Sequence, residues 1–247
     1  MCLTSESRAE SVSFFARNSP SFLLPVHWSA SFLLRSLAAF GAVLSCLFVW
    51  AAISEDGALV ALATQRYGSS GGVAIREWRS LVAVLRGQSD AELLRRVNDF
   101  TNRRIRFAED LTVWQKVDYW ASPLESLGRG LGDCEDYVIA KYFTLRELGV
   151  PTAKLRLIYV RARIGGPHSS ITQAHMVLGY YATPQAIPLV LDNLLGEIRP
   201  AAQRPDLAPV FSFNGEGVYA GAAVTSVERI TRWKELLLRM QAEGYAP

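Results

Sequence analysis

The apolar residues of this chain are unevenly distributed, and the most apolar stretch lies near its start. Arg35 is followed by residues 36–53, a run that has no charged side chain and contains the small residues Ala51 and Ala52. A basic flank, an apolar stretch and small residues are typical of an export signal. The run is also near the roughly 17–25 residues that span a bilayer, so an uncleaved anchor is the main alternative. A buried core helix is disfavoured because the run has no polar face.

Helical patterns follow this run. Residues 55–72 are predicted to be an entry segment that ends in a Ser/Gly loop, and residues 73–87 place apolar side chains on one helical face. Ser89 and Glu92 form a capping-box pattern that opens a second helix. The apolar residues of that helix fit the 3.6-residue period: Leu93, Leu94, Val97 and Phe100.

A third helix is predicted from Cys134 to about Leu148. Asp133 stands at its N-cap position, and Gly149 with a following proline ends it. The preceding residues 111–133 are rich in aromatic side chains and are predicted to be a loop.

Beyond this helix the apolar period changes to two, which predicts strands. We assign strands to residues 153–164, 173–181 and 187–195. The stretch after them is predicted to be a looser segment that wraps the sheet. Thr225 and Glu228 are predicted to cap a last amphipathic helix. Helices followed by an antiparallel sheet indicate the α+β class.

The three cysteines are informative because they lie in different parts of the chain. Cys2 and Cys46 belong to an N-terminal extension, residues 1–54, whereas Cys134 is alone in the domain of residues 55–247. An exported domain experiences an oxidising compartment, where a single free thiol without a purpose is a liability. The count therefore favours a reactive role for this thiol. The net charge of +3 and the scattered arginines exclude a nucleic-acid-binding stripe.

Cys134 lies where a nucleophile could be activated. The unpaired amides and the dipole of a helix N-terminus stabilise an anion. A cysteine nucleophile also needs a base, and the domain offers only His168, in a loop, and His175, at the start of a predicted strand. One cysteine and one or two histidines do not make a closed zinc site.

The strand pattern favours His175 as the base. If residues 173–181 and 187–195 form a hairpin, placing His175 opposite Asp192 puts the turn between Thr183 and its neighbouring proline, where turn residues occur. Cross-strand partners have Cβ atoms roughly 4.5–5.5 Å apart, so a carboxylate there could orient the imidazole. We therefore predict a Cys-His-Asp triad.

The motifs GDCEDY on a helix, followed by AHMVL and LDN on paired strands, resemble those of the LapG-type periplasmic cysteine proteases. These are bacterial transglutaminase-like cysteine proteinases, and the resemblance covers residues from about 70 to 240. It implies a papain/transglutaminase-like fold in which the nucleophile helix packs on an antiparallel sheet. It also implies Cys134 as nucleophile, His175 as base and later acid, and Asp192 as its orienting partner.

The resemblance further implies a bound Ca²⁺ held by the acidic residues that flank the nucleophile, here Asp133, Glu135 and Asp136. Ca²⁺ takes six to eight oxygen ligands, which suits clustered carboxylates. The alternative is that Asp133 caps the helix while Glu135 and Asp136 favour its first turn through the dipole. An oxyanion hole is expected to use the amide of Cys134, with Trp114, Gln115 or Trp120 as sources of a second donor.

The family's biology supplies the remaining expectations. The resemblance implies a periplasmic endopeptidase that cleaves the N-terminal region of a large surface adhesin, disperses a biofilm and is sequestered by an inner-membrane cyclic-di-GMP receptor. Two alternatives stay open. One is a different acyl transfer on the same triad, such as transglutamination or amidation of cell-wall peptide. The other is a non-catalytic, calcium-stabilised binding module.

Overall fold

The structure is a computed structural model that describes residues 30–221 and 223–245. Side chains are described from residue 56 onwards, except that of Arg229. The chain divides into two compact units, Met1–Phe48 and Val49–Pro247. The predicted export segment, residues 36–53, lies outside the residues whose side chains are described. Within the described part of the chain, no helix is both long and apolar enough to cross a membrane.

The first helix, α1 (Ala30–Leu85), contains one non-helical residue, Gly68, with φ 74° and ψ −173°. The predicted Ser/Gly loop is therefore wrong, because the helix resumes directly after this kink. Gly71 serves close packing instead. A Cβ there would lie 2.6 Å from the Cβ of Tyr67 and 3.2 Å from the carbonyl oxygen of Gly128.

Helix α2 (Asp90–Arg104) begins where the sequence predicts, and the Ser89 side chain accepts a hydrogen bond from the amide of Glu92. The reciprocal half of a capping box is not formed there, because the Glu92 carboxylate binds the guanidinium of Arg95. Helix α2 buries the apolar side chains Leu93, Leu94 and Val97.

The segment predicted to be a loop, residues 111–133, is largely ordered into short elements. These are α3 (Asp110–Val113), α4 (Pro123–Arg129) and β2 (Leu131–Gly132), and β1 (Arg106–Phe107) comes shortly before them. Helix α4 carries the complete capping box, in which Ser122 and Glu125 each bind the other's backbone amide. The sequence does not reveal helix α4, because seven residues are too few for a helical apolar period to be recognised among the surrounding aromatic residues.

The helix predicted to begin at Cys134, α5 (Cys134–Glu147), is confirmed almost to the residue. Leu148 follows it, and Gly149 adopts φ 92°, a left-handed conformation that glycine adopts without the penalty of a Cβ. Helix α5 is buried over most of its circumference, since residues from Asp136 to Leu145 are all buried. It packs against α2, α4 and the sheet.

The main sheet has seven antiparallel strands in the order β6-β5-β4-β3-β7-β8-β9. The bounds are β3 (Leu155–Arg163), β4 (Thr172–Tyr180), β5 (Leu189–Leu191), β6 (Arg199–Pro200), β7 (Leu207–Phe213), β8 (Val218–Ala220) and β9 (Ala223–Thr225). The first two were predicted closely and β5 is shorter than predicted. The segment expected to wrap the sheet instead supplies β6 and β7, and β7 lies beside the central β3.

The last helix, α6 (Thr231–Ala242), starts later than the sequence predicts. Thr225 ends strand β9, and Ser226 accepts a hydrogen bond from Glu228 in a short 3₁₀ turn. Helix α6 adds Trp233, Leu236 and Met240 to the core that α5 shares with one sheet face. The fold is thus α+β, with the helices packed on an antiparallel sheet, as predicted.

Candidate active site and metal centre

Strand β2 ends two residues before Cys134, which is the first residue of α5. Strand β2 pairs in parallel with β1, which fixes the approach to the helix. The half-buried Cys134 thiol donates a hydrogen bond to Glu135 Oε2 at 2.8 Å. Burial raises the pKa of this thiol far above its ordinary value, and the charges of Glu135 and Asp133 raise it further. The backbone N–H of Met176 acts in the opposite sense.

His175 lies on β4, next to Met176, and is only 2% exposed. Its Nε2 is 2.8 Å from Oδ1 of Asp192. The other ring nitrogen, Nδ1, is therefore the one left to exchange a proton with a thiol. His168, the alternative base, is exposed in the loop between β3 and β4. The structure thus brings together the two residues chosen from the strand pattern.

The register that produces this contact differs from the predicted one. Strand β4 pairs with β5 so that Leu178 faces Leu191, and Asp192 is the first residue after β5. This register is two residues away from a direct pairing of His175 with Asp192. A shift of two keeps side chains on the same face, so the carboxylate reaches the imidazole diagonally.

Asp192 is held from several sides. Its Oδ1 accepts a hydrogen bond from the amide of Leu194 at 3.1 Å, and its Oδ2 lies 2.7 Å from Nη2 of Arg204. Its carbonyl oxygen accepts a hydrogen bond from Nδ2 of Asn102, on α2. Burial alone would raise the pKa of Asp192, but the hydrogen bonds from His175 and Arg204 outweigh burial and lower that pKa to about 2. The carboxylate is therefore ionised at neutral pH.

A cluster of three carboxylates lies beside Cys134. One oxygen each of Asp110, Asp133 and Asp136 lies within 4.8 Å of the others. Asp133 and Asp136 were predicted, whereas Asp110 was missed and Glu135 is outside the cluster because its carboxylate turns to the Cys134 thiol. Asp110 is distant in sequence and reaches the cluster through the β1–β2 pair, where Ala108 donates to the carbonyl of Gly132. Only the tertiary structure reveals that approach.

The three side chains fit a cation with oxygen ligands. Oδ1 of Asp110, Oδ1 of Asp133 and Oδ2 of Asp136 are each buried without a hydrogen-bond partner among the described residues. Asp133 occupies the N-cap position as predicted, yet its side chain makes no capping bond, so capping does not account for it. A Cβ at Gly132 would lie 2.6 Å from Oδ2 of Asp136, so this glycine leaves room for the carboxylate.

Electrostatics support the same interpretation. Burial and the neighbouring carboxylates raise the pKa of Asp110 to about 6 and raise those of Asp133 and Asp136 well above the ordinary range. Three buried carboxylates at this separation repel one another when ionised. A bound divalent cation would reverse that repulsion, because it supplies the missing positive charge.

The segment before α4 contains the three residues considered for a second oxyanion donor. Trp120 is buried, stacks on Phe213 with ring centroids 5.6 Å apart, and donates its Nε1–H to Asp118, so it packs. Nε1 of Trp114 is buried without a partner in this part of the structure, and Gln115 has φ 55°. The second donor stays a prediction.

Comparison with known proteins agrees with this geometry. A scan of protein families matches residues 77–205 to the bacterial transglutaminase-like cysteine proteinases, BTLCP. Among solved structures, Legionella pneumophila LapG is 37% identical with TM-score 0.65, covering 75% of this chain and 95% of that chain.

Two further LapG structures from this organism match. The calcium-bound form is 37% identical with TM-score 0.64, covering 75% of this chain and 98% of that chain. The EGTA-treated form is 36% identical with TM-score 0.66, covering 75% and 97%. A search of curated proteins found no match. Because the family match spans more than half of the chain and the relatives are covered almost completely, the chain belongs to the bacterial transglutaminase-like cysteine proteinases.

Proposed function

We propose that this protein is a calcium-dependent cysteine endopeptidase whose triad is Cys134, His175 and Asp192. The observation that carries the proposal is the buried contact between His175 Nε2 and Asp192 Oδ1. It leaves Nδ1 free on strand β4, where the backbone N–H of the next residue, Met176, lies against the Cys134 thiol. A nucleophile, a base and a group that orients the base are the parts an acyl-transfer site needs.

The residues divide the reaction as follows. His175 takes the proton of the Cys134 thiol at Nδ1, and the thiolate attacks the carbonyl carbon of the scissile peptide bond. The imidazolium then gives this proton to the leaving amine, and an acyl-enzyme remains on Sγ. A water molecule, deprotonated by the same imidazole, releases the second fragment and the free thiol. Asp192 keeps the imidazole in one orientation throughout.

Asp110, Asp133 and Asp136 would hold the calcium ion. A bound ion offsets negative charge next to the nucleophile. The chain's own arrangement explains why such an offset matters, since the ion-free surroundings raise the pKa of the Cys134 thiol. The hydrogen bond that the Cys134 thiol donates to the Glu135 carboxylate must break before the thiol can give its proton to His175.

The biological setting follows from the resemblance to LapG-type proteases. We propose a periplasmic enzyme whose substrate is the N-terminal region of a large surface adhesin, cut at a small-residue site that contains an Ala-Ala pair. We also propose that an inner-membrane cyclic-di-GMP receptor sequesters it, and that cutting releases the adhesin and disperses the biofilm. Residues 36–53 would direct export, or keep the protein in the inner membrane as an anchor.

The proteolytic function is tested by mixing the protein with an adhesin N-terminal fragment and following the products on a gel. We expect two new bands in calcium, and no bands with Cys134→Ser or with a chelator. A product of increased mass would indicate an isopeptide-forming transferase instead. Unchanged biological activity of the Cys134→Ser variant in cells would indicate a binding module and contradict the proposal.

The calcium centre is tested separately by calorimetric titration. Asp110→Asn is expected to weaken calcium binding at least about tenfold, because it removes one of the clustered charges. Glu135→Gln serves as the matched control, since Glu135 lies outside the cluster and its change removes the same charge from the same region. Equal losses in both variants would show that general charge, and not the cluster, governs binding.

A further inference from the structure

The Asp192 carboxylate divides its two oxygens between different partners. Oδ1 faces His175 Nε2 at 2.8 Å, and Oδ2 faces Nη2 of Arg204 at 2.7 Å. The side chains of Asp192 and Arg204 are 0% and 3% exposed. Water from the surface therefore cannot replace either hydrogen bond, and each oxygen of Asp192 keeps its own protein partner.

Arg204 is itself fixed from the far side. Its Nε and Nη2 bind the carboxylate of Asp206, whose side chain is 40% exposed. Its backbone N–H closes the 3₁₀ turn Ala201–Gln203, and its carbonyl oxygen accepts a hydrogen bond from Leu207 at the start of β7. The guanidinium thus lies between the exposed carboxylate of Asp206 and the buried carboxylate of Asp192, so its orientation does not depend on His175.

The other cation near Asp192 does not duplicate this contact. Lys141 on α5 is fully buried and interacts with the charge of Asp192, but its Nζ has no hydrogen-bond partner among the residues described. Without the guanidinium, Oδ2 would lack a side-chain donor, and the carboxylate could rotate about its Cβ–Cγ bond. Oδ1 would then leave the plane in which it meets the imidazole.

We propose that Arg204 is a positioning residue of the active site, which locks the Asp192 carboxylate so that Oδ1 alone serves His175. This inference rests on the proposed function. It concerns a residue that touches neither the thiol nor the substrate and that acts only through Asp192. A guanidinium suits the task because its donors have a fixed planar geometry, so that Nη2 meets Asp192 while Nε and Nη2 hold Asp206.

The test compares Arg204→Met, Arg204→Lys and the control Arg199→Met in the full chain, with the adhesin fragment as substrate. We expect Arg204→Met to lower kcat about 10- to 100-fold with KM changed less than about threefold, as misplacement of a catalytic group does. Arg204→Lys, which can reach only one of the two carboxylates, is expected to lie between this variant and the wild type. Arg199→Met removes a guanidinium that binds the exposed carboxylate of Glu197, and this control is expected to keep kcat.

A spectroscopic signal separates positioning from folding and from the proposed function. In protein labelled with ¹⁵N-histidine, the Nε2–H proton of His175 is expected far downfield and protected from exchange in the wild type and in Arg199→Met. It should be lost in Arg204→Met. This signal needs no substrate, so it decides the proposal even if the protein cuts nothing. An unchanged signal and kcat in Arg204→Met, or in Arg204→Lys if the first variant does not fold, would overturn it.

Discussion

At the scale of single residues, the site depends on a position that has no side chain. Gly132 precedes the acidic cluster, and its Cα faces the Asp136 carboxylate closely enough that a Cβ would lie 2.6 Å from Oδ2. A carboxylate packed in this way cannot move without losing its place beside Asp110 and Asp133. Glycine is needed here for close approach, since its φ is not in the left-handed region.

We expect Gly132→Ala to weaken calcium binding about tenfold or more. Overpacking of a buried site costs about 1–3 kcal/mol, and a factor of ten corresponds to 1.4 kcal/mol. Calorimetric titration of the variant measures the effect. Gly196→Ala is the control, because the nearest atom to a Cβ there is 3.9 Å away. Wild-type affinity in Gly132→Ala would mean that Asp136 is not a ligand.

Lys141 is the second residue that sequence patterns do not explain. It lies on α5 among apolar side chains and is fully buried, and burial lowers its pKa from 10.5 to about 7. Its charge is therefore costly in the folded protein, and an apolar side chain of similar length should be preferred at this position.

We expect Lys141→Met to raise the free energy of unfolding at pH 7 by about 1–3 kcal/mol. The unfolded chain keeps its lysine proton up to pH 10.5, whereas the folded protein releases it near pH 7. The wild type therefore gains stability between these values, and its deficit relative to the variant narrows. Urea unfolding at pH 7 and pH 10 measures this. A pH-independent difference, like that expected for Lys234→Met at an exposed position, would contradict it.

At the scale of elements, long periodic segments were predictable and short ones were not. Helix α5 and strands β3 and β4 were located within about two residues, because nine or more residues repeat one pattern in each. Helices α3 and α4 contain four and seven residues, too few for a period. Strand β7 contains Pro209 and three consecutive exposed residues, 208–210, so it shows no alternation, and its place beside β3 is set by the sheet.

The N-caps Ser89, which was predicted, and Ser122, which was not, show how local signals differ in weight. Ser122 is buried and exchanges hydrogen bonds with Glu125 in both directions, whereas the Ser89 bond to Glu92 is exposed and 3.4 Å long. Ser122 also adjoins Ala121, whose amide holds Oδ1 of Asp136. A change at α4 therefore reaches the acidic cluster.

We expect Ser122→Ala to destabilise the protein by about 1–2 kcal/mol, the upper part of the range for a lost N-cap, because Glu125 and its amide are left buried. Ser89→Ala should cost less, about 0.5 kcal/mol, since water can replace its bond. Chemical denaturation of the pair gives the comparison. Equal costs would indicate that burial of the capping box contributes nothing.

At the scale of the whole molecule, the acidic cluster joins α3, the end of β2 and the start of α5. The sequence located two of its members because they flank the nucleophile, and it located His175 and Asp192 through strand alternation. It could not locate Asp110 or Arg204. Both residues contact the site only because segments far apart in the chain pack together, and no local sequence pattern predicts such a contact.

We expect saturating calcium to raise Tm, and to raise it more at pH 8 than at pH 5. At one hundred times Kd a ligand adds about 2.7 kcal/mol, which corresponds to roughly 5–10 °C for a domain of this size. Without the ion, stability falls as pH rises from 3.8 through about 6, because the folded protein holds the Asp110 proton more tightly than the unfolded chain. Calcium binds the ionised form and removes this loss. Thermal melts in calcium and in EGTA at both pH values test this, and an equal gain at both would contradict it.

The contact between Gly132 and Asp136 also offers a diagnostic for unfamiliar chains. A search pattern built on cysteine and histidine alone would retrieve any related thiol enzyme. A stricter pattern would retrieve those that also have a cation centre. It would demand glycine two residues before the cysteine, aspartate one residue before it and two residues after it, and an acid at the start of a short upstream helix. A homologue with a larger residue at the glycine is expected to keep the nucleophile and to work without the metal.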